Sequence, residues 1–280
     1  MNICMSCVID TNYVNQSLIA IKSFHECNSE IPIIAYIEKD VSIDIFDYVE
    51  VRRYERNYND VFEYVGGDLL LVPRDAMSSI SQRIKALEKL RNEYDYVINL
   101  DMDTLTVRSI APIISKLDNS TLEYFSGVDE RENRNKWVKS LGIKEPVKTE
   151  NYFNTGFCIY GSQALKAISY DDYIKVLKSD ASNFLCPEQD YLNLRLQLKN
   201  IKLNPTYNMM ISDNRYQERI PTIIHYLGIY KPWATTRPIN KHVSYYFANY
   251  ANYVNNNISI LDTEFVKQVN INYEFSKNLG

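Results

Sequence analysis

Two short runs rich in branched apolar residues, 2–9 and "IPIIAYI" at 31–37, bracket a stretch in which Val14, Leu18, Ile21 and Phe24 recur at helical spacing. This order of strand, helix and strand limits the fold more than any other feature of the chain. A second unit follows, in which "VEVRRY" (49–54) reads as a strand and Ile80, Ile84 and Leu87 line one stripe of a helix that Asp75 can cap. "YVINL" (96–100) then returns as a strand. Such alternation predicts an α/β fold with a mainly parallel sheet covered by helices, and functional residues gathered beyond the carboxyl ends of its strands.

Farther on, "FCIY" (157–160) reads as a strand, "EQDYLNLRLQL" (188–198) as a helix and "TIIHYL" (222–227) as a strand running into a loop. Residues 129–150 are charged with weak periodicity and read as a loop or small insertion. Residues 241–280 read as a polar extension of uncertain structure. No internal repeat and no Gly/Ser linker divides the chain.

With 280 residues the chain can bury a substantial core, as one large domain or as a main domain with an appendage. Its 45% hydrophobic and 24% charged residues are those of a soluble globular protein, and a net charge of −4 argues against a nucleic-acid binder while leaving room for a local basic patch. No apolar run approaches the roughly 18 residues of a membrane span, and "MNICMSCVIDTNY" lacks the pattern of a signal peptide. A cytoplasmic protein is therefore expected. Peripheral attachment to a membrane stays open as the alternative, although no basic amphipathic stripe supports it. Cys4 and Cys7 have CxxC spacing but lie inside a strand-like run, so they are expected to be reduced core residues and not metal or redox ligands. The 23 tyrosines carry little functional weight by themselves.

The apolar run "YVINL" ends in two acids, Asp101 and Asp103, one residue apart. Each carboxylate needs water, a hydrogen-bond partner or a cation. On an extended backbone both project to one side, and at a strand-ending turn both can bend toward one ion. Oxygen ligands suit Mg²⁺ or Mn²⁺, and an imidazole such as that of His225 tilts the choice toward Mn²⁺. Spacing alone leaves a solvated, helix-capping turn as the competing reading, with His225 as an ordinary core or loop histidine.

Further stretches narrow the choice: "DTNY" (10–13), "QRIK" (82–85), "NLDMD" (99–103), "YFNTG" (152–156), "PEQD" (187–190) and "HYLGIYKPW" (225–233). In this order, from about residue 2 to 233, they resemble glycosyltransferase family 8, the retaining enzymes that include glycogenin and bacterial lipopolysaccharide galactosyl- and glucosyltransferases. The resemblance implies a GT-A fold: a Rossmann-like nucleotide-binding domain over 1–240 with an open mixed sheet flanked by helices, followed by the extension 241–280. It implies transfer of a hexose, glucose or galactose, from a UDP-sugar donor to a glycan or protein hydroxyl acceptor, without nucleic acid or an integral membrane segment.

By the same resemblance Asp101, Asp103 and His225 hold Mn²⁺, with Mg²⁺ as the alternative. Asp10, Asn12 and Tyr13 meet the uridine, Arg83 faces the donor, Met102 lies between the two acids at the donor, and Gly228 with Lys231 belongs to a phosphate-binding loop. Asp129, Asn154, Gly156, Glu188 and Gln189 surround the transferred hexose. Bacterial galactosyltransferases of the family commonly read DQD where this chain has Glu188, Gln189 and Asp190, and a frequent alanine is replaced by Thr155. Taken singly, several of these residues have plain structural readings. Asn154 and Gly156 can form a turn with an unusual glycine angle, Asp190 can favour a helix start, and Trp233 can pack. Two other functions fit the same residues: self-glycosylation on a tyrosine of the chain, as in glycogenin, and a UDP-sugar-binding protein without turnover.

Overall fold

The computed structural model describes residues 1–55, 77–141, 151–180, 184–196, 199–211, 219–228, 230–234 and 241–277. In chain order the principal elements are β1 (Ile3–Ile9), α1 (Val14–Cys27), β2 (Ile33–Glu38), β3 (Val49–Tyr54), α2 (Met77–Leu90), β4 (Tyr96–Leu100) and β5 (Thr104–Thr106). Then follow β6 (Phe125–Asp129), α3 (Arg131–Leu141), β7 (Phe153–Gly161), α4 (Tyr170–Asp180), α5 (Pro187–Leu196), β8 (Met209–Met210), β9 (Ile223–His225), α6 (Lys241–Asn255) and α7 (Thr263–Lys277). The strands expected at 2–9, 31–37, 49–54 and 96–100 are all present. The proposed cap Asp75 lies outside the described residues.

The chain forms two compact units. The first comprises Met1–Thr11, Ile31–Leu100 and Ser115–Leu203. Its six-stranded sheet has the order β3-β2-β1-β4-β7-β6. The pairs β3/β2, β2/β1 and β1/β4 are parallel, whereas β7 runs antiparallel to both β4 and β6. The sheet is therefore open and mixed, as expected for a GT-A fold. Its central strands are apolar because both faces are covered: every residue of β4 is buried. Ile84, Leu87 and Leu90 of α2 pack with Cys4, Ile34 and Val97 of the sheet and with Tyr173, Leu177, Tyr191 and Leu192 of α4 and α5. Cys4 and Cys7 are free and buried, and burial pushes the Cys7 thiol up to about 12, in keeping with reduced core residues.

The second unit comprises Asn12–Glu30, Asp101–Ile114 and Asn204–Gly280. A small sheet of order β5-β9-β8 packs with α1, α6 and α7 around Ile19, Leu105, Ile224, Tyr226, Tyr246, Tyr250, Val254 and Val269. The polar extension of uncertain structure is thus two helices that supply much of this core. Residues 131–141, read as loop or insertion, form the helix α3, and 142–150 lie outside the described residues. Among the described residues no helix is long and apolar enough to cross a membrane.

Candidate active site

The turn after β4 carries both acids. Thr104 Oγ1 donates to the Asp101 carbonyl at 2.7 Å and closes the turn, after which β5 pairs antiparallel with β9 so that Thr104 stands opposite His225. The Tyr226 amide donates to the Asp103 carbonyl at 2.9 Å, which fixes the imidazole beside the acids through the backbone. His225 Nε2 lies 3.1 Å from Asp103 Oδ1 and 3.7 Å from Asp101 Oδ2. One ligand atom from each of Asp101, Asp103 and His225 lies within 4.8 Å of the other two. Cis ligands about 2.1 Å from a divalent ion are about 3 Å apart, close to the 3.1 and 3.7 Å that separate His225 Nε2 from the two carboxylates, and two carboxylates with an imidazole are a donor set suited to Mn²⁺. Met102, between the acids, is buried.

Two polar neighbours complete this group. Asn208 Oδ1 is 2.8 Å from His225 Nδ1, on the far side of the ring. Lys231 Nζ is 2.7 Å from Asp103 Oδ2 and 2.6 Å from the Tyr13 hydroxyl. Burial alone would raise the Asp103 carboxyl, but the Lys231 ammonium and the His225 imidazole outweigh it and hold the group far below the usual carboxylate range. Burial works to lower the His225 and Lys231 values, and Asp103 reverses both, so each is held above its ordinary value. Tyr13 stands at the start of α1, its ring edge-on to Trp233 at 6.5 Å. Gly228 has φ of +57°, a left-handed conformation that glycine adopts without strain, in the stretch that leads from β9 to Lys231. Asn12, also in this unit, is exposed.

A second polar group lies in the first unit, where β6 and β7 fall out of register. Gly127 pairs with Cys158 and Val128 with Asn154, so residues 155–157 of β7 bulge away from β6. Such a bulge frees backbone donors for side-chain partners. The Thr155 amide donates to Gln189 Oε1 at 3.1 Å, and the Gly156 amide donates to Asn154 Oδ1 at 2.8 Å. Gly156 therefore sits within an irregular strand. It does not supply the unusual angle of its structural reading, since the positive-φ glycine among the described residues is Gly228.

Gln189 is placed by α5, and its Nε2 donates to Glu130 Oε2 at 3.0 Å and to the Tyr152 hydroxyl at 2.9 Å. Asn154 Nδ2 donates to the same Glu130 oxygen at 2.9 Å and to Gln189 Oε1 at 3.1 Å. Glu188 is braced by Arg83 of α2, whose Nη1 lies 3.3 Å from each carboxylate oxygen, and accepts from Thr155 Oγ1 at 3.3 Å. Asp190 accepts from the amides of Leu185 and Cys186, at 2.8 and 3.0 Å, and from Tyr152 at 2.7 Å. It also faces Arg134 of α3 at 3.2 Å with both side chains fully buried. Asp190 thus shapes the start of α5, as its structural reading held. Asp10, after β1, is buried and accepts from Ser79 of α2 at 2.6 Å.

The structure brings Asp101, Asp103, His225, Lys231 and Tyr13 together in one unit, and Asn154, Gly156, Glu188, Gln189 and Arg83 in the other. Asp129 accepts from Lys202 at 3.1 Å, and its neighbour Glu130 is the acid that meets Gln189 and Asn154. Sequence reasoning missed Glu130, Tyr152 and Asn208. Adjacency to Asp129 was the only signal for the first, Tyr152 opened the stretch "YFNTG" without being given a role, and Asn208 carried no signal.

No match was found among curated protein sequences. Among solved structures, the chain is similar to the galactosyltransferase LgtC in complex with donor and acceptor sugar analogues, with a TM-score of 0.62 and 14% identity over 94% of this chain and 99% of that one. It is also similar to the bifunctional glycosyltransferase WbbM, with a TM-score of 0.63 and 15% identity, where 97% of this chain covers 51% of WbbM. For the glycosyltransferase GlyE of Streptococcus pneumoniae TIGR4 the TM-score is 0.59 at 16% identity, with 99% of this chain covering 64% of GlyE. The sheet order and these likenesses give the fold as GT-A. A family profile, glycosyl transferase family 8, matches residues 4–237, so the chain belongs to that family and is a glycosyltransferase.

Proposed function

We propose that the protein moves a hexose, glucose or galactose, from a UDP-sugar to a hydroxyl of a glycan or protein, with retention at the anomeric carbon and with Mn²⁺, or Mg²⁺, held by Asp101, Asp103 and His225. The observation that carries this reading is the convergence of those three ligand atoms within 4.8 Å of one another. A divalent ion supplies Lewis-acid stabilisation of the leaving diphosphate. Lys231, now on Asp103, is a point charge that can serve a phosphate instead, and Gly228 gives the loop before it its turn. Asp10, Asn12 and Tyr13 take the uridine, Tyr13 offering a ring face, and Met102 lines the donor beside the acids.

Asp129, Asn154, Gly156, Glu188 and Gln189 are assigned to the hexose. A double displacement needs a nucleophile on the face opposite UDP. Gln189 is a neutral amide and intrinsically a poor nucleophile, and its Nε2 and Oε1 already hold four partners, which argues against attack; its assigned role is electrostatic support of the ring. Glu188 is the competing nucleophile, yet its carboxylate is tied to the Arg83 guanidinium. Same-face attack follows: the acceptor oxygen bonds to the anomeric carbon as the bond to UDP breaks, and the acceptor's proton passes to the leaving phosphate oxygen.

The test is a screen of UDP-glucose, UDP-galactose and their N-acetyl derivatives for hydrolysis and transfer with Mn²⁺. One donor should turn over, chelation should stop it, and Asp103→Asn should cost on the order of a hundredfold or more. Full activity of that variant with chelator present rejects the metal role. Stepwise hexose additions in the intact mass would assign self-glycosylation, metal-dependent UDP binding without any turnover would assign a binding protein, and a sugar trapped on Glu188 would overturn same-face attack.

A further inference from the structure

We infer that Asn208 is a positioning residue for the metal centre: by accepting the Nδ1–H of His225 it keeps that proton on Nδ1 and leaves Nε2 to bind the cation. The inference rests on the metal reading above and adds a residue to it. Asn208 and His225 are both fully buried, so bulk solvent does not reach either partner. A neutral imidazole has one N–H and one lone pair, and only the nitrogen with the lone pair can ligate. Nε2 is the nitrogen that faces Asp103 and Asp101, at 3.1 and 3.7 Å, and Asn208 Oδ1 faces the other at 2.8 Å. A ring flip would place carbons at both contacts, so the two together fix orientation as well as tautomer.

The backbone delivers Asn208 to this place. It ends the turn Pro205–Asn208, which Asn204 caps by accepting from the Thr206 amide at 3.1 Å, and the Thr222 amide just before β9 ties the same turn at 2.7 Å. The next residues, Met209 and Met210, pair with Ile224 and His225. If the amide were turned over, its NH₂ would face Nδ1 and favour the proton on Nε2, which opposes ligation. A carboxylate at 208 can only accept, and a leucine of similar size can do neither.

The experiment measures Mn²⁺ binding to the full chain without nucleotide, by calorimetry and by the spin resonance of free Mn²⁺, for the wild type, Asn208→Leu and Asn208→Asp. The expected result is a loss of roughly 10–100-fold in affinity for Asn208→Leu, with circular dichroism unchanged. Asn208→Asp should bind as tightly as the wild type or more tightly. Wild-type affinity in Asn208→Leu overturns the inference while leaving the metal reading intact, as does equal loss in both variants, which would mark Asn208 as packing alone. No Mn²⁺ binding by the wild type overturns the metal reading and the inference with it. Should Asn208→Leu fail to fold, the aspartate variant decides: affinity kept supports the acceptor role, and affinity lost overturns it.

Discussion

The Gln189 amide has two donors and two lone pairs, and all four are satisfied inside the protein. Its orientation is therefore decided by its neighbours. Tyr152 accepts from Gln189 and donates to Asp190, while Glu130 collects an N–H from each of two amides. Replacing Glu130 by leucine strands both donors in a buried place at about 1–3 kcal/mol each, whereas Glu130→Gln keeps one oxygen that can accept both. Urea unfolding should show Glu130→Leu less stable than the wild type by about 2–6 kcal/mol and Glu130→Gln by about 1 kcal/mol or less. Equal midpoints for the two variants would mean that the carboxylate does not hold the network. Gln189, Asn154 and Glu188 were singled out in the sequence by stretches whose order resembles that of the family, and the structure brings them into one hydrogen-bonded group. Glu130 was not, because which of two adjacent acids turns inward at the end of β6 depends on the bulge opposite, a feature of pairing that no local pattern encodes.

Packing of α4 against α5 shows the same division between what sequence states and what it conceals. Asp172 of α4 accepts from Arg195 of α5 at 2.7 and 2.8 Å and from the Tyr191 hydroxyl at 2.9 Å. Burial works to raise the Asp172 carboxyl, but Arg195 and Tyr191 outweigh it and hold the value below the ordinary one. A depressed carboxyl contributes stability that is present above its unfolded pKa, near 3.9, and is lost as pH falls through the folded value. The pair is partly exposed and screened, so Asp172→Asn should cost at most about 1 kcal/mol at pH 7. Thermal unfolding should show that difference shrinking below about pH 4. A difference independent of pH would mean that the carboxylate's charge has no part in it. Strands such as β4 announce themselves by apolar runs, yet α3, α6 and α7 did not. Arg134 is fully buried in α3 against Asp190, which breaks any apolar stripe. In α6 much of the inward face is aromatic: Tyr246 and Tyr250 are buried in the core of the second unit, so tyrosines that look polar in composition act as apolar packing.

At the scale of the molecule, each unit has its own apolar core, one built on the six-stranded sheet and one on α1, α6, α7 and the small sheet. Units of this kind can open separately, and a ligand stabilises whichever unit binds it. Asp101, Asp103 and His225 all belong to the second unit, although Asp101 directly follows β4 of the first. Sequence could place the acids at a strand end, but the partition was beyond it, because the second unit is assembled from three separated segments. Saturation at a hundred times Kd is worth about 2.7 kcal/mol, equivalent to about a hundredfold in the opening equilibrium of that unit. Hydrogen exchange with saturating Mn²⁺ should therefore slow by up to about a hundredfold in β5, β9 and the turn Pro205–Asn208, and should remain unchanged in β1, β2 and β3. In Asp103→Asn both sets should exchange at their metal-free rates. Equal slowing of both sets in the wild type would show that the units open as one, and slowing that persists in Asp103→Asn would place the ion elsewhere.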